Sequence, residues 1–122
     1  MAGSIGAAIL GAAPGAAAPV RGSLYGRIGK MKAVPGARER LIELLLAGTS
    51  EMPGCLSYIV AADPADPDSI WITEVWDSKE SHAAALKLPS VRAIIAEARP
   101  LIAGFSDSHE TIPLGGTGLG SR

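Results

Sequence analysis

The fold is decided by one segment that changes from strand to helix: Trp71-Ile72-Thr73-Glu74-Val75-Trp76-Asp77-Ser78. Its first part is rich in β-branched and aromatic residues, which is the composition of a strand. Asp77 and Ser78 then supply side chains that cap helices, and Glu80 follows where a carboxylate suits the positive helix end. His82 comes soon afterwards. A strand that ends in a tryptophan and leads into a helix with a histidine is consistent with a small-molecule site.

Composition narrows the classes of protein. The 122 residues have room for one domain with one core, and 48% hydrophobic against 19% charged residues is an ordinary globular balance. The net charge of −1 predicts no attraction to nucleic acid or to an anionic membrane. Cys55, the single cysteine, cannot form an internal disulfide, so we expect a reducing, cytoplasmic location. Its apolar neighbours favour a structural residue over a nucleophile.

The two ends of the chain differ from its middle. Residues 1–20 carry no charge and consist mostly of Ala, Gly and Pro, without the basic start of an export signal. We therefore expect a flexible tail over residues 1–22, a folded domain over 23–114 and a glycine-rich tail over 115–122. No run approaches the roughly 20 apolar residues of a membrane span.

Turn residues and apolar spacing divide the domain into elements. Pro35-Gly36 and Pro53-Gly54 mark turns, and two prolines with three aspartates make residues 63–68 a polar loop. Helical spacing appears in residues 37–48 and again after Pro89, with a shorter helical segment over 78–86. Strands are predicted over 24–34, 55–62, 70–76 and 105–112. The order β-α-β-β-α-β predicts an α+β, ferredoxin-like fold: a four-stranded antiparallel sheet with helices on one face.

The strands are apolar on both faces. In the second strand one parity holds Leu56, Tyr58 and Val60, and the other holds Cys55, Ile59 and Ala61. Helices cover only one face of such a sheet, and a monomer rarely exposes a large apolar patch. We therefore predict a homodimer that packs sheet against sheet, with Trp71, of opposite parity to Trp76, in the interface.

Three segments stand in order along the chain: Pro53-Gly54-Cys55-Leu56-Ser57-Tyr58, then the segment 71–78, then Leu88-Pro89-Ser90-Val91. In this order they resemble the antibiotic biosynthesis monooxygenase (ABM) family, and within it the small quinol monooxygenases. The resemblance extends from about Tyr25 to Ile112. It implies a dimeric α/β barrel with a pocket between sheet and helices in each subunit.

The resemblance also implies a chemistry. Such proteins oxidise electron-rich phenols, quinols or anthrones with molecular oxygen, and they use no flavin, haem or metal. The deprotonated substrate passes an electron to oxygen itself, so the protein must take the proton, shield the anion and exclude water. The resemblance extends to haem-degrading relatives, which rely on an Asn, Trp and His set. This chain contains no asparagine, so haem degradation is disfavoured. The sequence contains no CxxC motif and no paired histidines, so it gives no indication of a metal site.

Two residues are candidates for catalysis. His82 suits proton transfer because an unperturbed histidine has a pKa of about 6.5. Many relatives carry the histidine three residues later, where this chain has Ala85, so His82 either reaches the pocket or lies inactive at its rim. Glu74 shares the strand parity of Trp76, and a carboxylate on an apolar face must be paired or protonated more easily than usual. We expect Glu74 either to have a catalytic role or to form an ion pair with Arg27, Lys30 or Arg92.

Two aromatic residues are candidates for substrate binding. Trp76 is either a pocket wall that stacks on a flat substrate or a large core side chain. Tyr58 either donates a hydrogen bond to a substrate oxygen or is a core tyrosine. His109, with the strand parity of Phe105, is a structural residue or a reserve base. The predicted function is the cofactor-independent oxidation of a small quinol or phenol; the alternative is a non-catalytic dimeric barrel that binds an aromatic ligand or serves in stress response or detoxification.

Overall fold

The computed structural model describes residues 23–119. The predicted tail over residues 1–22 and the last three residues of the predicted C-terminal tail lie outside this range. The elements run in the following order: β1 (Tyr25–Ala33), α1 (Arg38–Gly48), β2 (Cys55–Ala62), β3 (Ser69–Trp76), α2 (Lys79–Ala85), α3 (Pro89–Ala98), a 3₁₀ turn (Arg99–Leu101) and β4 (Ile102–Thr111). The β-α-β-β-α-β prediction is confirmed, except that Ile102, predicted on a helix face, begins the last strand.

The four strands form one antiparallel sheet in the order β2-β3-β1-β4. Its register aligns Met31 of β1 with Ile70 of β3, and Val60 of β2 with Ile72 of β3. These inward side chains pack on α1, whose apolar stripe of Leu41, Leu44 and Leu45 is buried. The stripe follows from the spacing of three and four residues that places leucines on one side of a helix. No helix within residues 23–119 has both the length and the apolar character needed to span a bilayer.

The core on the helix side of the sheet is divided into two clusters. The larger one is built around Met31, Leu41 and Ile70, and the smaller one consists of Tyr25, Trp76 and Ala85. Along β3, Ile72 belongs to the larger cluster and Trp76 to the smaller one. Glu74 occupies the inward position between them, so its carboxylate lies between the two apolar clusters.

A bulge in β2 overturns one predicted orientation. The register passes from a Cys55–Trp76 pair directly to a Ser57–Val75 pair, so β2 holds one extra residue there. Cys55 therefore packs against the smaller cluster instead of sharing the outer face with Ile59. Burial raises the pKa of its thiol, which agrees with the predicted structural role.

A second bulge lies in β4. Asp107 has a φ of 49°, and the pairing of β1 with β4 shifts register between Ile28 and Lys30. The extra residue reverses the alternation along the strand. Phe105 pairs with Met31 on the helix side, whereas His109 pairs with Ile28 on the outer side. The expectation that these two residues share a face is wrong.

The turn before β2 holds the start of α2 in place. Gly54 has a φ of 86°, a conformation that favours glycine, and its carbonyl accepts a 2.8 Å hydrogen bond from the backbone of Asp77. A side chain at this position would collide with Ser81. Ser78 caps α2 by accepting a 3.0 Å hydrogen bond from the backbone of Ser81. These contacts fix the helix that carries His82.

Within residues 23–119, no helix packs on the outer face of the sheet. One row crosses four strands through His109, Ile28, Thr73 and Ile59, and the side chain of Ile59 is 55% exposed. Trp71 lies on the same face, where its Nε1 donates to Asp63 Oδ2 at 3.1 Å and Lys30 Nζ sits 5.5 Å from its ring centre. This apolar face is the surface for which a partner was predicted.

Candidate functional site

A cavity of about 550 Å³ lies between the helix side of the sheet and the helices. Its walls come from inward positions of β1, β2 and β3, from the end of α1, from α2 and α3, and from the beginning of β4. Trp76 and Ala85 of the smaller cluster line one end, and Met31 and Leu45 of the larger cluster line the other. The space between the two core clusters is therefore the cavity itself, and its size is typical of small-molecule sites.

Glu74 lies on the cavity wall at the division of the core. Its side chain is 16% exposed, and Oε1 accepts a 2.9 Å hydrogen bond from Trp76 Nε1. His82 Nε2 lies 3.8 Å from the same oxygen, close enough for an ion pair when the ring is protonated but too far for a direct hydrogen bond. None of the three basic residues proposed as partners forms an ion pair with Glu74. Its partners are Trp76 and His82.

The His82 ring packs between two aromatic side chains. Its centre is 5.3 Å from the Tyr25 ring and 5.4 Å from the Trp76 ring, which it meets edge to face. The side chain is 17% exposed and lines the cavity. Burial lowers the pKa of His82 below its ordinary value of 6.5, although the charge on Glu74 opposes this effect. A lowered pKa favours the neutral imidazole, which is the form able to accept a proton.

Helix geometry explains why a histidine at this position reaches the cavity. His82 and Ala85 are three residues apart on α2, and residues at this spacing share one face of a helix. Both line the cavity, and Ala85 is buried against the smaller cluster. The shift by three residues from the position implied by the family resemblance therefore keeps the imidazole on the cavity wall.

Trp76 is both a core side chain and a part of the cavity wall. It is 1% exposed and belongs to the smaller cluster, as a core side chain does. It also lines the cavity and binds Glu74 through its indole nitrogen. A single side chain thus forms the wall of the site and fixes the orientation of the carboxylate.

Tyr58 lies across the strands from Glu74 and lines the same cavity. Within residues 23–119, no side chain or backbone group forms a hydrogen bond with its hydroxyl. Burial, followed by the negative charge of Glu74, raises the pKa of Tyr58 well above its usual range. The hydroxyl therefore stays protonated and can donate a hydrogen bond to a ligand.

A charged network behind His82 was missed by the sequence reasoning. Tyr25 donates a 2.7 Å hydrogen bond to Glu110, and Arg27 donates a 3.0 Å hydrogen bond to the Tyr25 hydroxyl. Lys79 lies 3.5 Å from the same Glu110 oxygen. Arg27 and Lys79 lower the pKa of His82, and Glu110 raises it. The sequence offered one signal for this network, which was the presence of charged residues on β1 and β4. Which of these residues lie close together depends on the bulge in β4.

The structure separates the two histidines. His82 lines the cavity, whereas His109 is exposed on the outer face of the sheet and contributes nothing to the cavity wall. In the described part of the chain, no three His, Cys, Asp or Glu side chains cluster as metal ligands do. The cavity thus brings together His82, Glu74, Trp76 and Tyr58, the four residues singled out from the sequence.

Comparison with known proteins identifies relatives. The family model described as antibiotic biosynthesis monooxygenase matches residues 24–97. A Chloroflexus aurantiacus J-10-fl protein, assigned by name to this family, is 64% identical with a TM-score of 0.79, over 80% of this chain and 100% of its own. A Caulobacter crescentus CB15 protein with the same assignment is 17% identical with a TM-score of 0.69, over 78% of this chain and 92% of its own.

A third structure shares the fold. SnoaB from Streptomyces nogalater, named a cofactor-independent oxygenase and crystallised as a point mutant, is 13% identical with a TM-score of 0.65, over 78% of this chain and 97% of its own. A search of curated proteins found no match. The family model covers more than half of the chain, and the Chloroflexus protein is similar over its whole length. The chain belongs to the antibiotic biosynthesis monooxygenase family.

Proposed function

We propose that the protein is a monooxygenase that oxidises a small quinol or phenol with molecular oxygen and without a resident flavin, haem or metal. The observation that carries this proposal is a half-buried imidazole, with Nε2 3.8 Å from a carboxylate oxygen, in a mostly apolar cavity. Removing one proton makes such a substrate electron-rich enough to react with oxygen. Membership of a family named for monooxygenases supports the same reaction class.

His82 is the proposed general base. A substrate hydroxyl placed against the ring loses its proton to the imidazole, and the imidazolium then has an N–H on both ring nitrogens. Nε2 faces Glu74 Oε1, so the carboxylate stabilises the new positive charge. The Tyr58 hydroxyl donates a hydrogen bond to a substrate oxygen, and Trp76 forms the wall against which the ring rests. The apolar cavity excludes water from the anion.

The redox step needs only substrate and oxygen. The anion gives one electron to O₂, and the two radicals combine to form a carbon–oxygen bond. The resulting peroxide anion takes the proton held by His82, and the hydroperoxide so formed loses water as its O–O bond breaks. For a hydroquinone the sum is hydroquinone plus O₂ to hydroxyquinone plus water. The ring loses four electrons, O₂ gains four, and both hydrogens of the water come from the substrate.

Oxygen uptake tests the proposed function. Purified protein, freed of flavin and metal, is given a panel of hydroquinones in an oxygen electrode with catalase present. We expect uptake above the rate of spontaneous oxidation for at least one member, with one O₂ consumed for each hydroxyquinone formed. Uptake equal to that of the buffer for every member would contradict the proposal.

The pH dependence of the reaction is expected to report on Glu74. The rate should rise with pH through the pKa of His82, which lies below 6.5, because only the neutral ring accepts a proton. Glu74→Gln removes the negative charge that raises this pKa, so the acid limb should move to lower pH. The plateau rate should also fall, since the base is weaker. kcat/KM measured between pH 4 and 8 checks both effects.

Glu80→Gln is the matched control, since Glu80 is an exposed carboxylate on the same helix as His82. Glu80→Gln should leave the acid limb of the pH profile at its wild-type position. A limb that Glu74→Gln leaves unmoved, or that moves to higher pH, would mean that His82 is not the titrating base.

We also propose that two copies pair through the outer face of the sheet. The row holds two exposed isoleucines, Ile28 and Ile59, on either side of Thr73, and it lies at the centre of that face. Sedimentation at micromolar concentration should give the mass of two chains. Thr73→Arg should yield monomers, because it puts a charge into the middle of the row. Ala83→Arg, on exposed α2, should remain dimeric. A wild-type monomer would exclude this pairing.

A further inference from the structure

The cavity is chemically different at its two ends. The groups able to recognise a phenolic ring lie at the end of the cavity next to the smaller cluster. They are Glu74, Trp76, His82 and, on the neighbouring strand, Tyr58. Beyond them the wall is aliphatic. Of the other polar side chains on the wall, Thr49 already donates its hydroxyl to the Leu45 carbonyl at 2.7 Å, and Arg99 is exposed at the rim.

The aliphatic end is formed by three elements that meet at the larger cluster. β1 contributes Met31, α1 contributes Leu45, and α3 contributes Ile94, Ile95 and Ala98. Met31, Leu45 and Ala98 are buried members of that cluster, and Ile94 packs against it. These side chains offer no hydrogen-bond donor or acceptor, so water held there would lack the two to four polar partners that it needs.

The size of the cavity exceeds what a single ring fills. Its volume of about 550 Å³ lies within the range of pockets that hold drug-sized molecules. A simple hydroquinone bound to Glu74 and His82 would occupy the polar end and leave the aliphatic end empty. The favourable occupant of that end is an apolar group joined to the ring, because burying it removes apolar surface from water.

We propose that the substrate is a quinol or phenol that carries an aliphatic side chain. Its ring lies against Trp76, with a hydroxyl at His82, and its side chain lies among Leu45, Ile94 and Ile95. The assignment of the ring end rests on the proposed function, whereas that of the aliphatic end rests on the cavity wall alone.

Anaerobic calorimetry with a series of hydroquinones tests the assignment. Hydroquinone and its 2-methyl, 2-butyl and 2-hexyl derivatives are titrated into the protein with oxygen removed, so that binding is measured without turnover. Burial of each methylene strengthens binding by about two- to fourfold. We expect the hexyl compound to bind at least about 30-fold more tightly than the methyl compound. An affinity that does not depend on chain length would overturn the proposal.

A substitution in the aliphatic end locates the side chain. Ile95→Phe fills part of the cavity from α3 and should remove most of the gain in affinity from methyl to hexyl. Ala93→Phe on the same helix is the control, because Ala93 is exposed and lines no part of the cavity. Equal behaviour of the two variants would contradict the placement. Failure of the proposed function would abolish oxygen uptake yet leave this binding series intact, so the two outcomes are distinguishable.

Discussion

His82→Ala is expected to lower kcat/KM for the best hydroquinone by about 10²–10⁴-fold, the usual contribution of a positioned general base. The imidazole lines the cavity, and it faces a carboxylate able to stabilise its protonated form. Without it, the substrate must lose its proton to water, which is a much weaker base than an imidazole. Initial rates of oxygen uptake measure the loss.

Two controls separate catalysis from folding. His109→Ala should retain the wild-type rate, because His109 lies exposed on the opposite face of the sheet. His82→Ala should unfold at nearly the wild-type urea concentration. A folded His82→Ala protein with the wild-type rate would show that His82 is not the base. A large loss of rate in His109→Ala would place the base on the outer face of the sheet.

Trp76→Ala is expected to destabilise the fold by about 3–5 kcal/mol, the range for loss of a buried large aromatic. Trp76 is 1% exposed, packs with Tyr25 and Ala85 in the smaller cluster and donates the 2.9 Å hydrogen bond to Glu74. Its removal opens a space beside the cavity and leaves the carboxylate without its donor. Urea unfolding followed by circular dichroism gives the free energy of unfolding.

Phe105→Ala is the comparison for this loss, since Phe105 is 70% exposed at the edge of the cavity. It should change the free energy of unfolding by less than about 1 kcal/mol. Trp76→Phe keeps a ring in the cluster but removes the Nε1 donor, so its loss should fall between the two. Equal losses for Trp76→Ala and Phe105→Ala would show that the smaller cluster does not stabilise the fold.

The sequence predicted those parts of the site that depend on unbroken alternation. β3 contains no bulge, so the period of two places Glu74 and Trp76 on the helix side and Trp71 on the outer side, as expected. Alternation fails where a strand takes an extra residue. Cys55 lies before a bulge in β2, so it does not share a face with Ile59 as predicted. His109 lies after a bulge in β4, so it does not share a face with Phe105 as predicted.

Contacts between distant elements were the least predictable. The distance from His82 to Glu74 depends on where α2 begins, which the Ser78 cap and the Gly54 turn decide together. The network of Tyr25 and Glu110 depends on a register set by the β4 bulge, so no local pattern indicated it.

The most direct test of the proposed chemistry is the fate of labelled oxygen. The protein is supplied with ¹⁸O₂ and its best hydroquinone, quenched after a single turnover, and the product is analysed by mass spectrometry, with a parallel reaction in labelled water to correct for exchange. Monooxygenation predicts one ¹⁸O atom in each hydroxyquinone and the other in water, with no labelled product from His82→Ala in the same time. A quinone without label, formed together with hydrogen peroxide, would show that oxygen is only an electron acceptor and would contradict the proposed monooxygenase.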